Sequence, residues 1–126
     1  MSDAFNRYAV LLWLLSEPDK LSAAAKKIVQ EDDLCVSMAS LWEIAIKQSN
    51  GKLELPFSPE ELSEICVGRD IAVTHIQPAH LNKLKDLPRI HSDPFDRLII
   101  CQSLAEDIPI LTHDAKIPLY PVRTVW

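Results

Sequence analysis

The chain has 126 residues, enough for one domain with a real core and too few for two. Its 48% apolar and 25% charged residues are those of an ordinary folded protein, and a net charge of −5 argues against a large sequence-independent nucleic-acid footprint. No apolar run reaches the ~20 residues of a membrane span.

The longest run, AVLLWLL at 9–15, follows Arg7 and leads directly into Glu17, Pro18 and Asp19. It has no small-residue cleavage site behind it, so it is not a signal peptide, and a cytoplasmic location is expected. Two foldings of the opening segment stay open. A strand followed by a helix is one. The other is a single helix from about residue 3 to 15, because Phe5, Tyr8, Ala9 and Leu12 recur at helical spacing with Ser2 able to cap.

LSAAAKKIVQ (21–30) predicts a helix capped by Ser22, and LCVS (34–37) a short apolar strand. SLWEIAIKQSNGKL (40–53) predicts a helix with Leu41, Ile44 and Ala45 on one face and Asn50–Gly51 as its stop. SPEELSEIC (58–66) predicts another, with Ser58, Pro59 and Glu61 as a capping box. DIAVTHI (70–76) reads as a strand and 78–85 as a short helix closed by Leu87–Pro88. Asp93 then caps a helix running to about Glu106, with Pro94 at its first position and Asp96 at its third. PILT (109–112) and VRTV (122–125) read as the last strands. Strands alternating with helices predict an α/β fold whose parallel sheet is covered on both faces, in one domain over 1–126.

Cys35, Cys66 and Cys101 sit in apolar contexts without metal-type spacing and read as buried thiols, which suits a reducing compartment. His75, His80, His91 and His113 lack HxxxH or HxH pairing, which argues against zinc. Trp13 and Trp42 read as core or dimer-seam residues, and AVLLWLL as a pairing surface.

The acids carry the chemistry. Ligands of open parallel sheets sit beyond the carboxyl ends of the strands. Asp114 follows PILT, Asp96 lies in the first turn of the helix leading into that strand, and Glu43 lies early in the helix entered from LCVS. All three are expected to converge at that edge. Two carboxylates about 4 Å apart repel by roughly 4 kcal/mol at an effective dielectric near 20. A cation among their oxygens removes that cost, and hard oxygen donors suit Mg²⁺ or Mn²⁺. The chemistry that follows is metal-assisted phosphodiester hydrolysis. Each acid also has a structural reading: Asp93 as a cap, Asp96 as a partner of the helix dipole, Glu43 as a solvent-facing residue, Asp114 as a turn residue. An acidic site is compatible with a nuclease despite the net charge, and Lys47, Lys52, Arg89 and Arg97 are the candidates for a basic rim. A phospho-acceptor receiver domain is disfavoured, because it would want paired acids after the first strand.

The blocks SLWEIAIKQSNGKLELP and HSDPFDRLIICQSLAEDIPILTHD, with VLLWLLSEPDKLSAAAKKIV before them and a closing VW, resemble the PIN-domain family over about residues 10–126. The branch they resemble is the VapC-like toxins of prokaryotic toxin–antitoxin pairs. The resemblance implies a three-layer α/β/α domain with a parallel sheet of four to five strands. It implies Mg²⁺- or Mn²⁺-dependent ribonuclease activity, a homodimer, and an antitoxin that inserts a basic side chain into the acidic pocket. The family's acidic set maps onto Glu43, Asp96 and Asp114, with Asp93 as a neighbour and Ser40 and Thr112 as polar support. The family pattern also has an aspartate at the end of an apolar first strand, and here FNRYA places Arg7 at that position. A guanidinium cannot deprotonate and matches carboxylates in a fork. Pointing into the pocket, it would pair with Asp96 or Asp114 and weaken or empty the metal site; solvated, it would leave the pocket open on one side. Two functions therefore stand: a ribonuclease toxin, weakened or not, that works through Glu43, Asp93, Asp96 and Asp114, and a degenerate PIN-fold module that binds an antitoxin or RNA without cutting.

Overall fold

The computed structural model describes residues 3–6, 8–31 and 33–126, with side chains placed for 5, 10–31 and 33–126. Arg7 lies outside the described residues, and so does the question of where its side chain points.

Among the described residues five strands form one parallel sheet in the order β3-β2-β1-β4-β5: β1 Asp3–Asn6, β2 Asp33–Ser37, β3 Ala72–Thr74, β4 Ile110–Leu111 and β5 Thr124–Val125. Six helices among the described residues connect and cover them: α1 Tyr8–Ser16, α2 Ala23–Glu31, α3 Met38–Ser49, α4 Pro59–Gly68, α5 Pro78–Lys85 and α6 Pro94–Glu106. Short 3₁₀ turns at Pro18–Lys20 and Ile117–Leu119 were not anticipated from the sequence. Among the described residues no helix is long and apolar enough to cross a membrane.

The opening segment resolves as strand then helix. Phe5 is paired with Cys35 on one side and Ile110 on the other, and its backbone N–H donates to Pro109 O at 2.9 Å. Backbone pairing on both sides outweighs a short helical spacing, whose propensity is worth only tenths of a kcal/mol per residue.

Alternate residues of the strands enter different cores, as a sheet covered on both faces requires. Leu34, Val36 and Leu111 pack with Val10, Leu11, Ala25, Leu41, Ile44 and Leu62 on the face of α1–α4. Phe5, Cys35 and Ile110 pack with Leu98, Ile99 and Ile100 on the face of α6. Because every strand runs the same way, their carboxyl ends share one edge. Ser37, ending β2 there, accepts the Ala39 N–H and caps α3, so this helix starts at Met38, earlier than its apolar pattern indicates. Trp42 is not a core residue: it is 54% exposed and meets Phe95 edge-on with ring centroids 5.0 Å apart.

Candidate metal centre

The cap on Ser37 places Glu43 in the second turn of α3, only 4% exposed, with Ser40 buried one turn before it. Lys47, one turn on, brings Nζ to 3.3 Å from Glu43 Oε2. Glu43 Oε1 and Ser40 Oγ are buried and have no hydrogen-bond partner among the described residues. Burial first, and then the charge of Asp93, pushes the Glu43 carboxyl above its ordinary value; Asp96 adds to this and Lys47 opposes it. Glu43 is thus a buried acid whose charged form is disfavoured by burial and by its acidic neighbours.

Asp93 performs the capping role written in the sequence. Its Oδ1 accepts from Phe95 N at 2.9 Å and Asp96 N at 3.3 Å, and Pro94 opens α6 without needing an N–H partner. This cap sets Asp96 in the first turn, fully buried. At the end of β4 the buried Thr112 accepts the Asp114 N–H through Oγ1 at 3.1 Å. Asp114 Oδ1 in turn accepts from Lys116 N at 2.8 Å and Ile117 N at 3.2 Å, which fixes the turn that carries it.

Asp96 and Asp114 meet on a residue the sequence reading passed over. His91 Nε2 lies 3.1 Å from Asp96 Oδ2 and 3.4 Å from Asp114 Oδ2. The three side chains each present one ligand-type atom, all within 4.8 Å of one another. A search restricted to histidine pairs misses a mixed set spread over positions 91, 96 and 114. The available signal was the place of His91 in the loop two residues ahead of the α6 cap.

That loop is held from a distance. Tyr120 Oη accepts the backbone N–H of Ile90 at 3.0 Å and of His91 at 2.8 Å, and donates to Pro88 O at 2.6 Å. Arg97 donates through Nη1 to Pro88 O at 2.9 Å and through Nη2 to Leu87 O at 3.2 Å. Arg97 therefore does not serve the basic rim expected of it; its fork is used on backbone carbonyls. Lys47 is engaged with Glu43, while Lys52 and Arg89 are exposed.

Of the acids expected to converge, Asp96 and Asp114 share a partner, and Glu43 is linked to Asp93 and Asp96 through their charges. The donor set of carboxylates, with a buried Glu43 oxygen lacking a partner among the described residues, fits a hard divalent cation.

Two solved structures are similar in fold. A chain of the VapBC2 complex of Rickettsia felis, bound to a DNA fragment from its promoter, superposes with a TM-score of 0.68 at 11% identity over 98% of this chain and 97% of that one. A chain of a toxin–antitoxin complex from Klebsiella pneumoniae gives 0.65 at 12% identity over 98% and 96%. No curated protein matches the chain by sequence. The PIN domain model matches residues 9–122, which contain Glu43, His91, Asp96 and Asp114, and the chain belongs to the PIN-domain family.

Proposed function

We propose that this chain is a divalent-metal-dependent ribonuclease, the VapC-like toxin of a toxin–antitoxin pair. The observation that carries the reading is the burial of Asp96 beside Asp114 at the carboxyl edge of the sheet, with the buried Glu43 coupled to them by charge. Glu43, Asp96 and Asp114 would hold Mg²⁺ or Mn²⁺, with Asp93 keeping Asp96 in place through its cap. When bound, the cation polarises the scissile phosphate and lowers the pKa of a water. Lys47 neutralises part of the Glu43 charge at the rim.

One similar structure is a VapBC2 complex on promoter DNA and the other a toxin–antitoxin complex, which supports an antitoxin as the partner here. A basic side chain from such a partner complements the acid pocket. Pairing as a homodimer and RNA as substrate belong to the same reading, as does a single domain over 1–126.

Arg7 favours a second reading. A guanidinium in place of the family's first carboxylate turns the chain into a binding module that holds antitoxin or RNA without cutting.

RNA cleavage by the purified protein in Mn²⁺, beside Asp96→Asn and EDTA controls, separates the two. Cleavage lost in both controls establishes the ribonuclease. No cleavage, or cleavage that survives Asp96→Asn, leaves the binding module.

A further inference from the structure

We propose that His91 is a positioning residue of the acid pocket, whose Nε2–H bonds Asp114 with Asp96 drawn against the same nitrogen, and which holds both carboxylates for the cation without ligating it. This rests on the reading of the pocket as a divalent-metal site.

The ring's other nitrogen decides the matter. His91 Nδ1 accepts the backbone N–H of Asp93 at 3.1 Å. A nitrogen that accepts an N–H carries a lone pair, so the ring proton of neutral His91 is on Nε2. That proton is shared with Asp114 Oδ2 at 3.4 Å, and Asp96 Oδ2 lies 3.1 Å from the same nitrogen. Metal ligation through the same atom needs a lone pair there, and moving the proton to Nδ1 would set it against the Asp93 N–H. The group of His91, Asp96 and Asp114 is thus two carboxylates gathered at one donor nitrogen.

The backbone around His91 supports the same role. Its N–H is anchored on Tyr120 Oη at 2.8 Å and its carbonyl receives Arg97 Nη1 at 3.4 Å. The residue is 8% exposed, so its donor competes little with water. A donor between two carboxylates relieves their repulsion and fixes their oxygens before a cation arrives. Partners that orient ligands in this way change metal affinity about 10–100-fold when lost.

The experiment combines two variants with one spectrum. Glutamine places an amide N–H near the position of Nε2 but cannot accept at Nδ1; asparagine places an oxygen near Nδ1 but has no donor at Nε2. Mn²⁺ titration calorimetry is expected to give His91→Gln an affinity within about threefold of wild type and His91→Asn one about tenfold weaker or more. Equal loss in both variants would make His91 a ligand, and no loss in either, or loss in Gln alone, would remove the bridging role; each overturns the proposal. Long-range ¹H–¹⁵N NMR of the wild type, alone and with Zn²⁺, is expected to show the proton on Nε2 in both. A proton on Nδ1, or a metal-shifted Nε2, overturns it too. If the wild type binds no Mn²⁺, the metal-site reading has failed by itself, and the metal-free spectrum alone then decides the bridge.

Discussion

The Tyr120 hydroxyl accepts the His91 backbone N–H at 2.8 Å across 29 residues of chain. One phenol beyond β4 therefore sets where the loop before α6 presents its imidazole to Asp96 and Asp114. Tyr120→Phe keeps the ring in its core and removes one acceptor and one donor. Two backbone N–H groups and a carbonyl lose that partner, at a cost of about 1–3 kcal/mol. Thermal unfolding is expected to show a Tm lower by roughly 3–10 °C, and calorimetry a weaker Mn²⁺ affinity. An unchanged Tm and affinity would show that Arg97 alone suffices for the loop.

Metal removal gives a second test. A cation bound only to the native state stabilises it by about 2.7 kcal/mol at a hundred times its Kd. Mn²⁺ is expected to raise the Tm of the wild type, EDTA to reverse the rise, and Asp96→Asn to abolish it. A rise that persists in Asp96→Asn would place the ion elsewhere.

Glu43 makes stability depend on pH in a definite sense. Burial and the neighbouring Asp93 and Asp96 charges raise its folded pKa above the ordinary 4.5. The native state then holds the proton more tightly than the unfolded chain, so this contribution is fully present below about 4.5 and is lost as pH climbs through the raised value. In EDTA, wild type is expected to lose stability relative to Glu43→Gln as pH rises from 4 to 7. Mn²⁺ should reverse the ranking at pH 7. Parallel pH profiles of denaturant midpoints would show that the charge of Glu43 is compensated without a metal.

Arg7→Asp restores the carboxylate that the family pattern carries at this position of the sequence. Mn²⁺ affinity measured by calorimetry is expected to rise about tenfold or more, since an acid replaces a cation at the position where the family pattern has a carboxylate. No gain would show that position 7 contributes nothing to the pocket.

The thiols should be inert in the native protein. Cys66 and Cys101 are buried, and burial pushes both upward in pKa against the smaller opposing effect of Arg69 on the first and of Arg97 and Lys83 on the second. Thiol titration is expected to find these two unreactive at pH 8 until denaturant is added. Rapid labelling of either in the native state would contradict that packing.

What the sequence by itself determined is what short-range chemistry writes. The Ser58 capping box, the Asp93–Pro94 start of α6, the Gly51 stop at φ 74° and the place of Asp96 in a first helical turn all depend on residues within a few positions of one another. The acids at strand ends were legible for a related reason: a parallel α/β alternation sends every strand's carboxyl end to one edge. The tertiary structure alone decided the rest. β1 exists as a strand because β2 and β4 supply its hydrogen bonds, and its own residues read equally as helix. Arg97 turned from an expected rim cation into a backbone clamp once Leu87 and Pro88 offered their carbonyls to it. His91 joined the acids because Tyr120 anchors its backbone from 29 residues away, a contact no local pattern records, while the Asp93 N–H two residues on holds its Nδ1.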